Sequence, residues 1–259
     1  MTTWLAPEIE VTVGDRTRLG TVQRLEVAAA RGEPVATAFL ELSNVRFEWQ
    51  DGAADGDPLT VRWGYRGQAL APLFDGTVQR ALLRETLSVW GLCRARALMD
   101  TRVTRTYQDE TAETIVRHLV EGAGFAGLDL APCPAEIDKL PLQDNTLIEA
   151  LGFLDRRLAL GRDAWADPQG VLHWAPPDWA QGPVATFTLG DDVLDWHSLP
   201  GGGLLVTVTG APLWHSCVVE LVDRAGTATR HFVEKVRHTA GNAGAGIRSD
   251  LWLSEVGHG

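Results

Sequence analysis

Between Asp57 and Leu98 the chain alternates apolar and polar positions with a period of two. Leu59, Val61 and Trp63 are separated by Thr60 and Arg62, the pattern of a half-buried strand. Gly64 and Gly67 bracket a turn, and residues 74–83 and 86–98 follow as two further strands rich in Val, Leu, Thr and Trp, with Arg84 and Glu85 at the bend between them. No helix fits inside this stretch. Strands joined by so few residues are antiparallel neighbours, so the reading is a twisted meander. Upstream, residues 8–13 alternate as a strand, Gly14 and Asp15 turn it, and residues 22–30 and 35–42 form a hairpin across Arg31 to Pro34. Pro34 is placed outside the ladder, where its missing N–H does no harm. Residues 51–58, DGAADGDP, hold no apolar residue larger than alanine and read as an exposed loop. About six strands in the first hundred residues are enough to close a small barrel or sandwich.

Near Asp109 the period changes. Ala112, Ile115, Val116, Leu119 and Val120 make one apolar stripe of an amphipathic helix, with Asp109 or Thr111 as N-cap and Gly122 or Gly124 as stop. Residues 126–144 carry Pro132, Pro134 and Pro141 and read mostly as connection. A second helix over about 146–160 puts Leu147, Leu151, Leu154 and Leu158 on one face and ends at Gly161. Residues 165–174 read as a hairpin, with Pro168 and Gly170 at the second and fourth positions of a type I turn. After a linker at 175–183, strand character returns at 185–189, 204–209, 217–222, 230–237 and 248–256. This half echoes the first. Phe74-x-x-x-Val78 has a counterpart in Phe232-x-x-x-Val236, and each is followed by a strand bearing Trp, at Trp90 and Trp252. The expected fold class is mainly β with a small α/β part: a first β-barrel domain at 1–104, an α/β domain of two helices and a hairpin at 105–183, and a second, similar antiparallel barrel at 184–259.

Composition narrows the function classes. At 259 residues the chain can bury roughly 70 to 75% of its unfolded surface and needs no metal or disulfide to hold a core. Cys93, Cys133 and Cys217 are an odd number far apart with no CxxC pair, which argues against a disulfide framework and a zinc site and for synthesis in a reducing cytoplasm. The first residues, MTTWLAPEIE, lack a basic region and an apolar run, and no apolar stretch of about 18 residues occurs, so neither a secretion signal nor a membrane span is expected. A net charge of -11 disfavours nonspecific adhesion to nucleic acid or anionic lipid. One region runs the other way: Arg80, Arg84, Arg94, Arg96, Arg102 and Arg105 outnumber Glu85 and Asp100. No framework of a nucleic-acid module accompanies them, so solvated strand faces and subunit contacts are the better reading.

Candidate chemistry is sparse. Seven histidines are scattered, and only His215 with Cys217 would share a strand face, two metal ligands where a site needs three or four. Asp191, Asp192, Asp195 and His197 around Trp196 suggest a paired-carboxylate glycosidase site, against the commoner reading of turn aspartates that bond their own backbone. Gly201 to Gly203 precede a strand rather than a helix and lack the Lys-Ser/Thr of a phosphate cradle; GxSxG is absent. No catalytic, cofactor-binding or metal residue is assigned, and none of the ten tryptophans is set apart from core or subunit contact.

A set of local patterns nevertheless falls in a telling order: Gly64-Tyr65 ending a strand, Leu-Phe-x-Gly-x-Val at 73–78, a long return strand, Arg-Thr-Tyr at 105–107 before a helix followed by Gly, and FVEKVRH with a Gly-rich loop and SDLWLSE near the end. In this order the chain resembles the baseplate hub family of contractile phage tails, which includes the central hub of T-even phages, late control protein D and the N-terminal hub region of valine-glycine repeat spikes. The resemblance implies a non-enzymatic structural protein without cofactor, a homotrimeric ring in the virion tail baseplate, assembled in the host cytoplasm. It implies as partners a six-fold tail tube above, a separate three-fold central spike below and other baseplate or tail-tip proteins, with DNA passing through the ring without specific binding and no membrane insertion. Gly257, His258 and Gly259 are expected to face the spike, because the chain ends there without a spike domain. Two alternatives stay open: a carbohydrate-binding β module or small glycan hydrolase, and a hexameric tube-initiator or distal tail ring.

Overall fold

Residues 7–93 build seven strands: β1 (Pro7–Val13), β2 (Arg16–Leu19), β3 (Val22–Ala30), β4 (Glu33–Ser43), β5 (Pro58–Tyr65), β6 (Ala71–Leu83) and β7 (Thr86–Cys93). They come from a computed structural model that describes residues 6–46, 49, 52–241 and 246–256. Their side-by-side order is β3-β4-β7-β6-β5-β1-β2. Period-two alternation explains the elements: on β5 Leu59, Val61 and Trp63 are buried while Thr60 and Arg62 are not, and on β7 Leu87, Val89 and Cys93 are buried. Gly91 on β7 lies so close beneath Leu59 and Phe74 that a Cβ there would overlap the Leu59 side chain.

Two expectations are corrected here. The fourth strand begins at Glu33, so Pro34 lies inside it, ahead of the pairing with β7 that runs from Thr37–Leu92 to Ser43–Thr86. The return strand stops at Cys93 instead of running to residue 98. A 3-10 turn at Arg94–Arg96 and a short helix, α1 (Ala97–Asp100), take its place. The buried residues there, Ala95 and Leu98, are three apart, so the period has already changed from two to three.

Two compact units divide the chain: Met1–Arg31, Ala36–Leu92 and Asp178–Gly259 in one, Gly32–Val35 and Cys93–Pro177 in the other. The second unit holds α1, β8 (Arg102–Thr111), α2 (Ala112–Val120), β9 (Gly127–Leu130), β10 (Glu136–Thr146), α3 (Leu147–Leu158), β11 (Asp163–Ala166) and β12 (Val171–Ala175). The α2 stripe is buried throughout, and Thr111 is its N-cap, accepting from the Thr114 N–H. Thr146 and Glu149 form a capping box at α3, which ends at Ala159 in the left-handed region, two residues before Gly161. The stretch read as connection contains two strands. β9 runs parallel to β12, and β10 pairs with β8 from Glu136–Thr111 to Thr146–Arg102. Leu140 and Leu142 are buried on one face of β10 and Ile137 on the other; Pro141 is tolerated because a two-stranded sheet has two outer edges. The β11–β12 hairpin turns at Asp167 to Gly170, whose N–H donates to the Asp167 carbonyl at 2.9 Å.

The rest of the first unit is β13 (Ala185–Thr188), β14 (Val193–Ser198), β15 (Leu204–Thr209), β16 (Val218–Val222), β17 (Ala228–Ala240) and β18 (Arg248–Glu255). Here the neighbours run β14-β15-β18-β17-β16, with β13 parallel to β16. That is the permutation β3-β4-β7-β6-β5 of the first half, strand for strand. The sequence echo falls on matched elements: Phe74 and Val78 are buried on β6, Phe232 and Val236 on β17, and the two tryptophans sit on β7 and β18. The fold is thus mainly β. Its two like-ordered halves join into one 13-stranded sheet, because β17 pairs not only with β16 and β18 but also with β3, from Lys235–Ala30 to Ala240–Leu25.

Candidate assembly surface

The surface that stands out is strand β14, which the sequence reading missed as a strand. It forms a hairpin with β15, pairing Trp196 with Val206 and Ser198 with Leu204, closed by the Leu199 N–H on the Gly203 carbonyl at 2.7 Å. On its other side Val193 is bridged to Leu189, and beyond that bridge no described strand lies beside residues 195–198. Leu199 bonds toward β15, so the two-residue alternation aims the backbone groups of Trp196 and Ser198 outward. The Trp196 N–H donates instead to its own neighbour, the Asp195 carboxylate, at 2.8 Å. Every side chain from Leu194 to Ser198 is exposed, Leu194 to 50% and Trp196 to 54%. Large apolar side chains presented on an open strand edge are the usual mark of a strand awaiting a partner. Inward of the edge lies a cavity of about 140 Å³ with apolar walls from Leu189, Val193, Trp196 and Val206 and polar ones from Asp223 and His231.

The residues singled out for chemistry disperse into structural roles. Asp192 accepts from the Thr188 N–H at 3.2 Å, and its carbonyl accepts from the Thr209 N–H at 2.9 Å. Asp195 also meets His197 Nε2 at 3.0 Å, so these aspartates bond their own turn and strand. His215 is buried with Nδ1 2.9 Å from Ser216 Oγ. The Cys217 thiol donates to the Trp214 carbonyl, and burial pushes it up to about 12, which keeps it protonated. Gly201 and Gly202 take positive φ in the β14–β15 loop. Of the arginines, Arg80 lies over Trp90, Arg105 over Tyr107, Arg96 pairs with Asp100 at 2.6 Å and Arg102 with Asp144 at 3.2 Å. Gly257, His258 and Gly259 lie outside the described residues.

Two histidine sites had no sequence signal. On β12, His173 stacks on Trp165 with Nδ1 3.0 Å from Asp129 and Nε2 3.1 Å from Asp167. Burial pulls its pKa down, but bonds to the two carboxylates outweigh that and hold it above the ordinary value. Asp167 also accepts from the Gln169 and Val171 N–H groups, which makes it the pin of the hairpin turn. On β17, His238 is fully buried between Ser249 Oγ at 2.8 Å and the Leu213 carbonyl at 2.7 Å, and burial pushes it down to about 4. The neutral ring donates from Nε2 and accepts at Nδ1. Among the described residues no group of three or more His, Cys, Asp or Glu side chains is arranged to hold a metal.

No protein-family model matches the chain, and no curated protein matches it in sequence. Solved structures do. A tail protein from Neisseria meningitidis MC58 superposes with a TM-score of 0.74 at 16% identity, covering 97% of both chains. The 43 kDa tail protein of prophage MuSo2 from Shewanella oneidensis gives 0.73 at 15% identity over 96% of this chain and 98% of its own. A component of the E. coli type VI secretion system, described as structurally similar to T4 tail proteins gp27 and gp5, gives 0.63 at 14% identity over 92% of this chain and 74% of its own. The fold is therefore that of phage tail proteins and of a type VI secretion component, which is where the resemblance to the baseplate hub family pointed.

Proposed function

We propose that this chain is a structural component of a phage tail or related injection machine, a hub that assembles as a homotrimeric ring between a six-fold tube and a three-fold spike. The observation that carries the reading is the repeated strand order. Two halves with one permutation, β3-β4-β7-β6-β5 and β14-β15-β18-β17-β16, give three subunits six similar units. A ring of that kind meets six-fold symmetry on one face and three-fold on the other by geometry alone. The likeness to tail proteins over nearly the whole chain supports the same role. A net charge of -11 suits a lumen along which DNA slides, since like charges repel.

The test is the mass of the purified chain in solution, by light scattering over a range of concentrations, followed by imaging of the assembled species. Three subunits arranged as six similar units are the expected result. Six subunits would replace the hub by a tube-initiator or distal ring. Saturable affinity for a cell-wall glycan would replace it by a carbohydrate-binding module.

A further inference from the structure

The second half comes round on itself at Leu189, just after β13, which is bridged to Val193 on β14, so the circuit β13-β16-β17-β18-β15-β14 closes around an interior. Trp196 belongs to that interior. It stands opposite Val206, which is 1% exposed, and directly opposed side chains share a face of the sheet. Trp196 is nevertheless exposed, beside the cavity of about 140 Å³ that it helps to line. The first half differs at the matched place. Trp63 faces Ala71, three positions before Phe74, and Leu221 faces Thr229, three before Phe232. One half thus sets a buried indole where the other sets a leucine and a cavity.

One polar group at the cavity is unmet. His231 lines it, is 6% exposed, and has Nε2 3.0 Å from Thr229 Oγ1. The Thr229 hydroxyl donates to the Leu221 carbonyl at 3.4 Å, so it accepts from the Nε2–H group. Nδ1 is then a bare lone pair, buried and without a partner among the described residues. Burial outweighs the influence of Glu255 and holds the ring below its ordinary pKa, so the lone pair is kept at neutral pH. A buried acceptor without a donor is costly, and a guest that fills the cavity while bringing one donor relieves both defects. The volume is that of a single six-membered aromatic ring. Outside the cavity opens a cleft of about 750 Å³, lined by Gly190, Leu194, Asp195, Trp196, Asp223 and Arg224. That cleft is far larger than a ring and is charged, which suits the backbone and neighbours of a peptide; a free ring would leave Leu194 and Trp196 uncovered.

We infer that this end of the second half receives a tyrosine side chain from a partner protein, with the ring among Val193, Leu204, Val206 and Leu221, the phenol O–H donating to His231 Nδ1, and the flanking peptide in the outer cleft. The site is whole in one copy of the chain, so it stands apart from the ring proposed above.

The experiment titrates the full chain by calorimetry with two blocked tripeptides, acetyl-Gly-Tyr-Gly-amide and acetyl-Gly-Phe-Gly-amide, and with p-cresol as the free ring. The tyrosine peptide is expected to bind about tenfold more tightly than the phenylalanine peptide, the ratio that one hydrogen bond to a buried acceptor supports. p-Cresol, which forgoes the outer cleft, is expected to bind less tightly than the tyrosine peptide. His231→Leu removes the acceptor and should bring the two peptides to equal affinity, and Leu221→Phe, which grows a ring into the cavity, should weaken both. The comparison of the two peptides needs no variant, so it decides even where a substitution fails to fold. Equal affinity for the two peptides, no saturable binding of the tyrosine peptide, or a tyrosine preference that survives His231→Leu overturns the inference. p-Cresol binding more tightly than the tyrosine peptide overturns the partner segment and makes the occupant a free phenol.

Discussion

β3 and β14 hold the same place in two versions of one strand order, and they have opposite surroundings. In β3, Leu25 and Val27 are at most 1% exposed, with β4 on one side and β17 on the other. In β14 nothing from Leu194 onward is buried, and past the bridge between Val193 and Leu189 one side has no described strand. The sequences differ accordingly: Val-Gln-Arg-Leu-Glu-Val-Ala-Ala-Ala alternates into a small-residue end that another strand can approach, whereas Val-Leu-Asp-Trp-His-Ser is wide and polar. A repeated topology therefore does not require a repeated environment. The two halves differ inside as well. The buried polar and charged side chains among the described residues, His215, His231, His238 and Ser249, all belong to the second half.

The comparison can be strained hardest at its matched cores. Val78→Asp on β6 and Val236→Asp on β17 each place a carboxylate at a fully buried position, and each should cost of order 3 kcal/mol or more in urea unfolding. If only one does, the halves are alike in strand order and not in energetics. Acid should separate them next. His238 is held near 4 in the fold against 6.5 when free, so between those values the unfolded chain binds the extra proton. Its contribution is present above about pH 6.5 and lost as pH falls toward 4, on the order of 3 kcal/mol in all. Unfolding midpoints measured across that window should fall, and His238→Gln should flatten the slope. Gly91→Ala should cost about 2 kcal/mol by overlap with Leu59, a test of how tightly the first half is closed. The smallest effect belongs to the edge strand: His197→Ser, at an exposed side chain, should change the stability of the separate chain by no more than about 0.5 kcal/mol, and a larger loss would show that β14 is already packed.

What could be read from sequence follows from how each residue is buried. β1, β3, β5 and β15 alternate cleanly because each has one face in the core, and α2 and α3 show stripes because each packs on one side. β10 was hidden by Pro141 and by a polar run, Gln143 to Asn145, where its register slips. β14 was hidden for a different reason. Alternation records burial, and a strand whose face is bare within its own chain has none to record. The aspartates that suggested turn chemistry are there, bonding their own backbone, but they flank and occupy a strand. His173 and His238 were invisible because Asp129, Ser249 and Leu213, which define their environments, are 11 to 44 positions away along the chain.

One consequence of β17 is mechanical. It is 13 residues long and serves both halves, with a register shift between Val233 and Lys235 where it leaves β16 and takes up β3. A force pulling the halves apart along the strand direction would load that whole row of backbone bonds at once, instead of opening them one by one. The splice is a rivet and not a hinge, so thrust entering one half is delivered to the other without the slack that a flexible linker would introduce.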